Sequence, residues 1–464
     1  MSTRTETDSL GPVEVPSNQY YGAQTKRALD NFPISGIRFP RRFLEALGLV
    51  KWSAALENEA RGTLESNLTS AIAAAAEEVI EGKLDEHFPL DVYQTGSGTS
   101  TNMNANEVIS NRAIESLGGE MGSKAPVHPN DHVNMGQSSN DVIPTVIHIA
   151  AMLGIRDDLV PALRKLHASL ASKASDFASI AKTGRTHLMD AAPVTLGQEF
   201  GGYAAQIERG IGRVESAQKN LAELALGGTA CGTGLNAPEG YAAAIIARVA
   251  ERTGLPLIEA PDHFEAQGGR DACVEASGAL RTVAVSLMKI ANDIRWLGSG
   301  PRAGLAELQL PSLQPGSSIM PGKVNPVVPE MCRQVAAQVM GNDATIGISG
   351  ATGDFNLNVM MPVIAHNLLG SIEILSNASA IMAEKCVDGL IANEEQCRSD
   401  AERNLQVGAA LNTVIGYDRA GELVKEAVRS DRAIREVAEE AGVMPADELA
   451  KVLDPLKLTR GGVI

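Results

Sequence analysis

The sequence predicts an all-α fold. Three observations predict it: aromatic residues are only 3% of the chain, Ala, Leu, Glu and Arg dominate long segments, and period-two runs of β-branched residues are scarce. Several long stretches instead repeat apolar residues at intervals of three and four, the spacing that lines one face of a helix.

Before about Gly136 the chain is rich in turns, Asn and Gly. The first long helical pattern starts at Leu159, where Leu159, Leu163, Leu166, Leu170, Ala174 and Phe177 step by three and four, and it is expected to stop near Gly184. Pro161 is compatible with that helix only in its first turn, before a missing N–H matters. A second pattern runs from about Asp271 through Val283, Leu287, Ile290 and Ile294 to "GSGP", Gly298 to Pro301. A third follows Pro329, with Met331, Val335 and Val339 on one side. Ala284, Ala291, Ala336 and Ala337 permit close approach of neighbouring helices, so these helices are expected to bury one another, within the chain or across subunits. From about Asn393 the sequence becomes charged and shorter-pitched, as in "SDRAIREVAEEAGV". The expected division is therefore 1–136, mixed but mainly helical; 137–395, a central long-helix bundle; and 396–464, a small C-terminal helical domain. No fixed-period repeat is visible.

The 464 residues can bury a sizeable core, and 44% hydrophobic with 21% charged residues is an ordinary folded composition. The net charge of −16 argues against nucleic acid or an anionic membrane as partner, since either needs a basic face. An anionic substrate would therefore require a locally positive site. No apolar run, including "AIAAAA" from Ala71 and "YAAAIIARVA" from Tyr241, is long enough to span a bilayer, and the polar N-terminus has no signal core, so a cytoplasmic location is expected. Cys231, Cys273, Cys332, Cys386 and Cys397 form no C-x-x-C pair, which predicts reduced thiols and neither a zinc nor an iron–sulfur site.

Four polar clusters interrupt the helical pattern. "TGSGTSTNMNANE", Thr95 to Glu107, reads either as a helix entry capped by hydroxyls or as a hydroxyl-rich anion cradle that includes Ser97 and Thr99. "HPNDHVNMGQSSND", His128 to Asp141, sets His128 and His132 four apart beside Asn130 and Asp131, but no third ligand follows at metal spacing. Its Ser138, Ser139 and Asn140 read as neutral hydrogen-bond donors. "GRTHLMDAAPVTLGQEF", Gly184 to Phe200, carries Thr186 and His187 just after the expected helix stop, where an imidazole is accessible. In the fourth, "PGSSIMPGKVNP", a phosphate-loop reading fails because Ser317 and Val324 stand where Gly and Ser or Thr are needed. What remains is a loop carrying Ser317, Ser318, Lys323 and Asn325, freed by Gly316 and Gly322 and restrained by Pro321 and Pro326. Ile319 and Met320 in its middle predict that it docks onto something.

"GSSIMPGKVNP" resembles the signature of the fumarase/aspartase superfamily, all-helical lyases that release fumarate. The other three clusters resemble that family in the same order, as does "YYGAQTKRALDNFPISG", Tyr20 to Gly36, so the likeness runs the length of the chain. Within it the likeness is closest to the class II fumarate hydratases, which need no iron–sulfur cluster: His187 follows "GRT" where aspartases typically have Gln, and "FEAQGGRDACVEASGAL" from Phe264 is similar to the hydratase form. "VNPVVPE", Val324 to Glu330, and "LNVMMPVI", Leu357 to Ile364, are closer to aspartases.

The resemblance implies a three-domain fumarase/aspartase-like fold, a homotetramer whose core bundle holds about twenty helices, and active sites shared between subunits. It implies a small dicarboxylate substrate, fumarate or L-malate in the tricarboxylic acid cycle reaction, and no cofactor or metal. It casts Ser317 as the base that removes a carbon-bound proton, His187 as the group handling water, and Glu330 as orienting that imidazole. Lys323 and Asn325 would bind a carboxylate, with Ser97, Thr99, Thr186, Ser138, Ser139 and Asn140 as further donors. A second anion site falls at His128, Asn130 and Asp131, next to Ala125 and Pro126 where some relatives carry a basic residue. Aspartate ammonia-lyase and a non-catalytic relative of the same fold remain the alternatives.

Overall fold

A computed structural model describes residues 2–462. Helix accounts for 62% of it, and the strands among the described residues make only two-stranded pairings, so the all-α expectation holds. The chain forms two compact units, one of Met1–Pro161, Gly212–Ala284 and Ala337–Ser376, the other of Ala162–Ile211, Val285–Ala336 and Asn377–Ile464.

The first unit opens on an antiparallel hairpin, β1 (Thr3–Asp8) and β2 (Gly11–Pro16), followed by α1 (Ala23–Asn31), α2 (Arg41–Ala60), α3 (Ser66–Ile80), α4 (Thr99–Ser116) and α5 (Ser139–Gly154). The start of α1 is tied to α4 by one buried carboxylate: Glu107 accepts from the N–H groups of Gly22, Gln24 and Thr25 at 2.8, 2.8 and 3.1 Å. Phe43, Leu44, Leu47, Val50 and Ala54 bury one face of α2, which packs against α3 and α5. Every residue of α5 from Asp141 to Gly154 is buried, the pattern of an interior helix. Helices α5 and α6 (Val160–Asp176) are joined by a π turn, Ile155–Leu159, in which the Val160 N–H bonds to the Ile155 carbonyl. The first long pattern therefore does not begin a helix at Leu159. The wide turn sits where Pro161 has no N–H to offer, and so accommodates it. Leu159, Leu163, Leu166 and Leu170 are fully buried as the periodicity predicts.

The end of that pattern differs from expectation. The helix stops at Asp176, and residues that continue its apolar spacing enter an antiparallel hairpin, β3 (Ala181–Thr186) and β4 (Met189–Thr195). The long helices α7 (Leu196–Leu221), α10 (Asp271–Leu297), α11 (Val327–Gly350) and α12 (Met361–Lys385) follow, with α8 (Tyr241–Thr253) and α9 (His263–Gly268) between the first two. Val283, Leu287, Ile290 and Ile294 are buried along α10 as the spacing predicts. Helix α11 starts at Val327, two residues before Pro329, which costs nothing in a first turn whose N–H groups have no intrahelical acceptor. In the first unit Arg281 of α10 pairs with Asp343 of α11, and Asn342 of α11 donates to Ser371 of α12 at 3.0 Å. In the second, Tyr203 of α7 donates to Asp293 of α10 at 3.0 Å.

The C-terminal segment has its own apolar cluster, built by Leu411, Leu423, Ile434, Val437 and Leu449 among others. The boundary expected at 136/137 falls in the turn before α5, and that at 395/396 in the first turn of the helix Glu394–Arg403. Four cysteines are buried and Cys231 is exposed, all as free thiols. Shortening Ile147, fully buried in α5, to alanine is expected to lower the unfolding free energy by about 2–5 kcal/mol, read as a shift in denaturant midpoint.

Candidate active site

In the first unit the structure joins two of the polar clusters. Ser97 Oγ lies 2.8 Å from Thr99 Oγ1, which lies 2.7 Å from Ser139 Oγ, and Ser139 donates to Asn140 Oδ1 at 3.4 Å. The hydroxyls are not helix caps. Gly98, at φ +71°, precedes α4, and the capping oxygen comes from Gln94, which accepts from the Thr101 N–H at 3.0 Å and its hydroxyl at 2.9 Å. A Cβ on Gly98 would meet the Ile143 side chain at 2.9 Å, so this turn needs glycine both for its conformation and for its contact with α5. Asn140 Nδ2 is held by the Ala230 carbonyl at 2.8 Å. Ser138 has a structural task instead: its hydroxyl accepts from the Asn140 N–H at 3.2 Å, and Asp141 returns the bond to the Ser138 N–H at 3.0 Å, a closed capping box.

The His128 cluster is also a cap. His128 Nδ1 accepts from the Asn130 and Asp131 N–H groups at 3.2 and 3.1 Å, while His132 Nδ1 accepts from the His128 N–H at 2.9 Å. No group of three or more His, Cys, Asp or Glu able to hold a metal occurs among the described residues.

In the second unit, His187 and Leu188 form the two-residue tip of the β3–β4 hairpin with φ of 57° and 61°, and Thr186 and His187 are exposed. This corrects the expectation of a histidine just after a helix stop: two consecutive left-handed residues turn the strands back and push the imidazole outward. The hairpin is anchored by a buried charge network. Lys182 Nζ lies 3.0 Å from Glu199 and 3.1 Å from Glu307, and Arg185 donates to Glu307 at 2.8 Å.

The "GSSIMPGKVNP" loop is folded on itself. Ser317 Oγ accepts from the Ile319 and Met320 N–H groups at 3.2 and 2.9 Å, the Gly316 N–H bonds to the Lys323 carbonyl at 2.7 Å, and Asn325 Nδ2 donates to the Gly316 carbonyl at 2.8 Å. Ser318 and Lys323 are exposed, as are Ile319 and Met320, the two residues expected to dock the loop. Glu330 lies in the first turn of α11, and within the described residues it makes no hydrogen bond with His187.

Comparison with known proteins decides what this arrangement belongs to. A family model described as a lyase matches residues 11–341, and one for the fumarase C C-terminus matches residues 409–460. The chain is 52% identical to the class II fumarate hydratase of Caulobacter vibrioides over 461 residues, 99% of this chain and 100% of that one. It is 55% identical to that of Halobacterium salinarum over 461 residues, 99% and 98% of the two. The chain belongs to the class II fumarate hydratase family. A solved class II fumarase from Schistosoma mansoni, 38% identical, covers 99% of both chains with a TM-score of 0.96.

Two charged groups beneath the hydroxyl cluster of this fumarate hydratase family member escaped sequence reasoning. Asp141 is fully buried and also accepts from the Gly227 and Thr229 N–H groups, each at 3.0 Å; burial pushes its carboxyl up, against those three N–H bonds. Its signal was the serine three residues before it. Lys51 of α2 is also fully buried, donating to Asn134 Oδ1 at 3.1 Å and Gln137 Oε1 at 2.9 Å. Its signal was a lysine in the register of Leu47 and Ala54 on an apolar face.

Burial is the main cause that pushes the Lys51 ammonium down to about 7, and the Asp141 carboxylate opposes it. Unfolding restores the ordinary 10.5, so in between the unfolded chain binds one more proton, and stability rises with pH across that window. The wild type is expected to gain up to ~5 kcal/mol relative to Lys51→Met over that range, and parallel stability curves for the two would contradict it. Glu307→Ala, which strips Arg185 of its carboxylate and leaves Lys182 with Glu199 alone, is expected to cost about 3–5 kcal/mol in a denaturant titration.

Proposed function

We propose that the chain catalyses the reversible, stereospecific hydration of fumarate to L-malate, the tricarboxylic acid cycle reaction, through an aci-carboxylate intermediate. In the malate direction, Ser317 as an alkoxide takes the proton from the carbon beside one carboxylate. The released electron pair moves into that carboxylate, and the resulting charge is held by Lys323 and Asn325. The pair then returns to form the double bond as the neighbouring C–O bond breaks, and the hydroxyl leaves as water with a proton supplied through His187. Glu330 orients the imidazole, Thr186 stands beside it, and Ser97, Thr99, Ser139 and Asn140 donate to the substrate, with Ser138 holding Asn140 in place.

The observation that carries this reading is the Ser317 oxygen under two backbone N–H groups, at 3.2 and 2.9 Å. Such donors favour the alkoxide over the hydroxyl, which is what a serine base requires. Ser318 is exposed.

The active protein is proposed to be a homotetramer in the cytoplasm with sites assembled from several subunits; class II hydratases are typically oligomeric. Val285, Trp296, Ile348 and Ile381 leave large apolar side chains exposed on α10, α11 and α12 of a single chain, as surfaces that pair with other copies do. No helix among the described residues is long and apolar enough to cross a membrane. A second anion site is proposed at His128, Asn130 and Asp131, and the three-region division 1–136, 137–395 and 396–464 is retained as the proposed domain plan.

A second reading, aspartate ammonia-lyase, is favoured only by the segments "VNPVVPE" and "LNVMMPVI". Ultraviolet absorbance of fumarate separates the two: L-malate should generate it, and a signal from L-aspartate alone would overturn the hydratase reading. Ser317→Ala is expected to lose about 10²–10⁴-fold in kcat while still binding malate, and His187→Gln about 10²-fold, both by the same assay. Near-normal turnover in either variant would remove that residue from the chemistry.

A further inference from the structure

Lys51 presents an energetic problem. A fully buried ammonium whose hydrogen-bond partners among the described residues are two neutral amide oxygens is poorly compensated for the water it lost. An apolar side chain of similar volume would serve the packing of α2 at lower cost, and a charge retained against stability points to function.

The bonds show what it controls. Asn134 Oδ1 accepts from Lys51 and also from Asn102 Nδ2 and Asn106 Nδ2, each at 3.1 Å. With its oxygen so occupied, Asn134 must turn its Nδ2 toward the Gln137 carbonyl, at 3.1 Å. Gln137, its Oε1 taken by Lys51, points Nε2 at the carbonyls of Val133 and Met135, at 3.1 and 3.2 Å. One ammonium thus orients both amides of the turn that ends in Ser138, Ser139 and Asn140. Asn102 and Asn106 lie three and seven residues after Thr99 on α4, on the same helical face. The same cation therefore ties that turn to the helix carrying Thr99, whose hydroxyl meets Ser139 at 2.7 Å.

We propose that Lys51 is a positioning residue for substrate binding, holding Ser139 and Asn140 in register with Thr99 through Gln137 and Asn134. The inference rests on the hydratase reading above, in which those three side chains contact the dicarboxylate.

The test compares wild type, Lys51→Met, Gln137→Leu and the double variant in L-malate turnover and thermal unfolding. Lys51→Met is expected to keep or raise Tm while KM for L-malate rises about tenfold and kcat changes less than about threefold. Gln137→Leu should raise KM similarly, and the double variant should be no worse than the worse single one, because both act through one bond. An unchanged KM in either variant, additive effects in the double variant, or failure of Lys51→Met to fold overturns the inference and leaves the hydratase reading standing. A wild type without malate turnover overturns the reading and the inference together.

Discussion

The buried carboxylate of Asp141 is the interaction on which the first half of the site depends. It closes the capping box on Ser138 and draws the N–H groups of Gly227 and Thr229 onto the start of α5. Three N–H groups directed at one carboxylate keep it satisfied in an apolar setting, so a helix with no polar face can begin at a fixed place. Ser139 and Asn140 follow that cap directly, and the Ala230 carbonyl that holds Asn140 lies one residue beyond Thr229. The position of every donor in this cluster descends from that anchor, and Lys51 sets its orientation from the other side.

A similar logic governs the hairpin. Two exposed residues at the tip, Thr186 and His187, are presented by a base whose charges are nearly sealed from water, with Lys182 and Glu307 at 1% and 0% exposure. Buried ion pairs contribute little net stability but cost much when broken, which makes them suited to fixing one conformation. The Ser317 loop has no such base. It is held by its own backbone and by Asn325, and stays exposed.

Much of this was legible in the sequence, for physical reasons. The pattern of α10 could be read because Val283, Leu287, Ile290 and Ile294 all face one way and all are buried. The four polar clusters stood out because hydroxyls and amides interrupt helical periodicity. The hairpin was missed because its tip is His187–Leu188, with neither Gly nor Asn to signal two left-handed residues, and because Ala178 and Ile180 carry the helical spacing past Asp176. Helix capping by Ser97 or Thr99 was a reasonable expectation from composition, but Gln94 supplies that oxygen from four residues before Gly98. Sequence spacing alone also suggested a metal at His128 and His132, where the rings instead accept backbone N–H groups.

The account's central claim is that the Ser317 loop and the His187 hairpin act in one site while coming from different copies of the chain. Subunit mixing tests it most directly: Ser317→Ala and His187→Gln proteins, each inactive alone, are dissociated together, reassembled and assayed with L-malate. Recovery of turnover well above the sum of the two parents is the predicted result, because some mixed assemblies would hold one site with both residues intact. A mixture that reassembles into hybrids yet stays as inactive as its parents would contradict the claim.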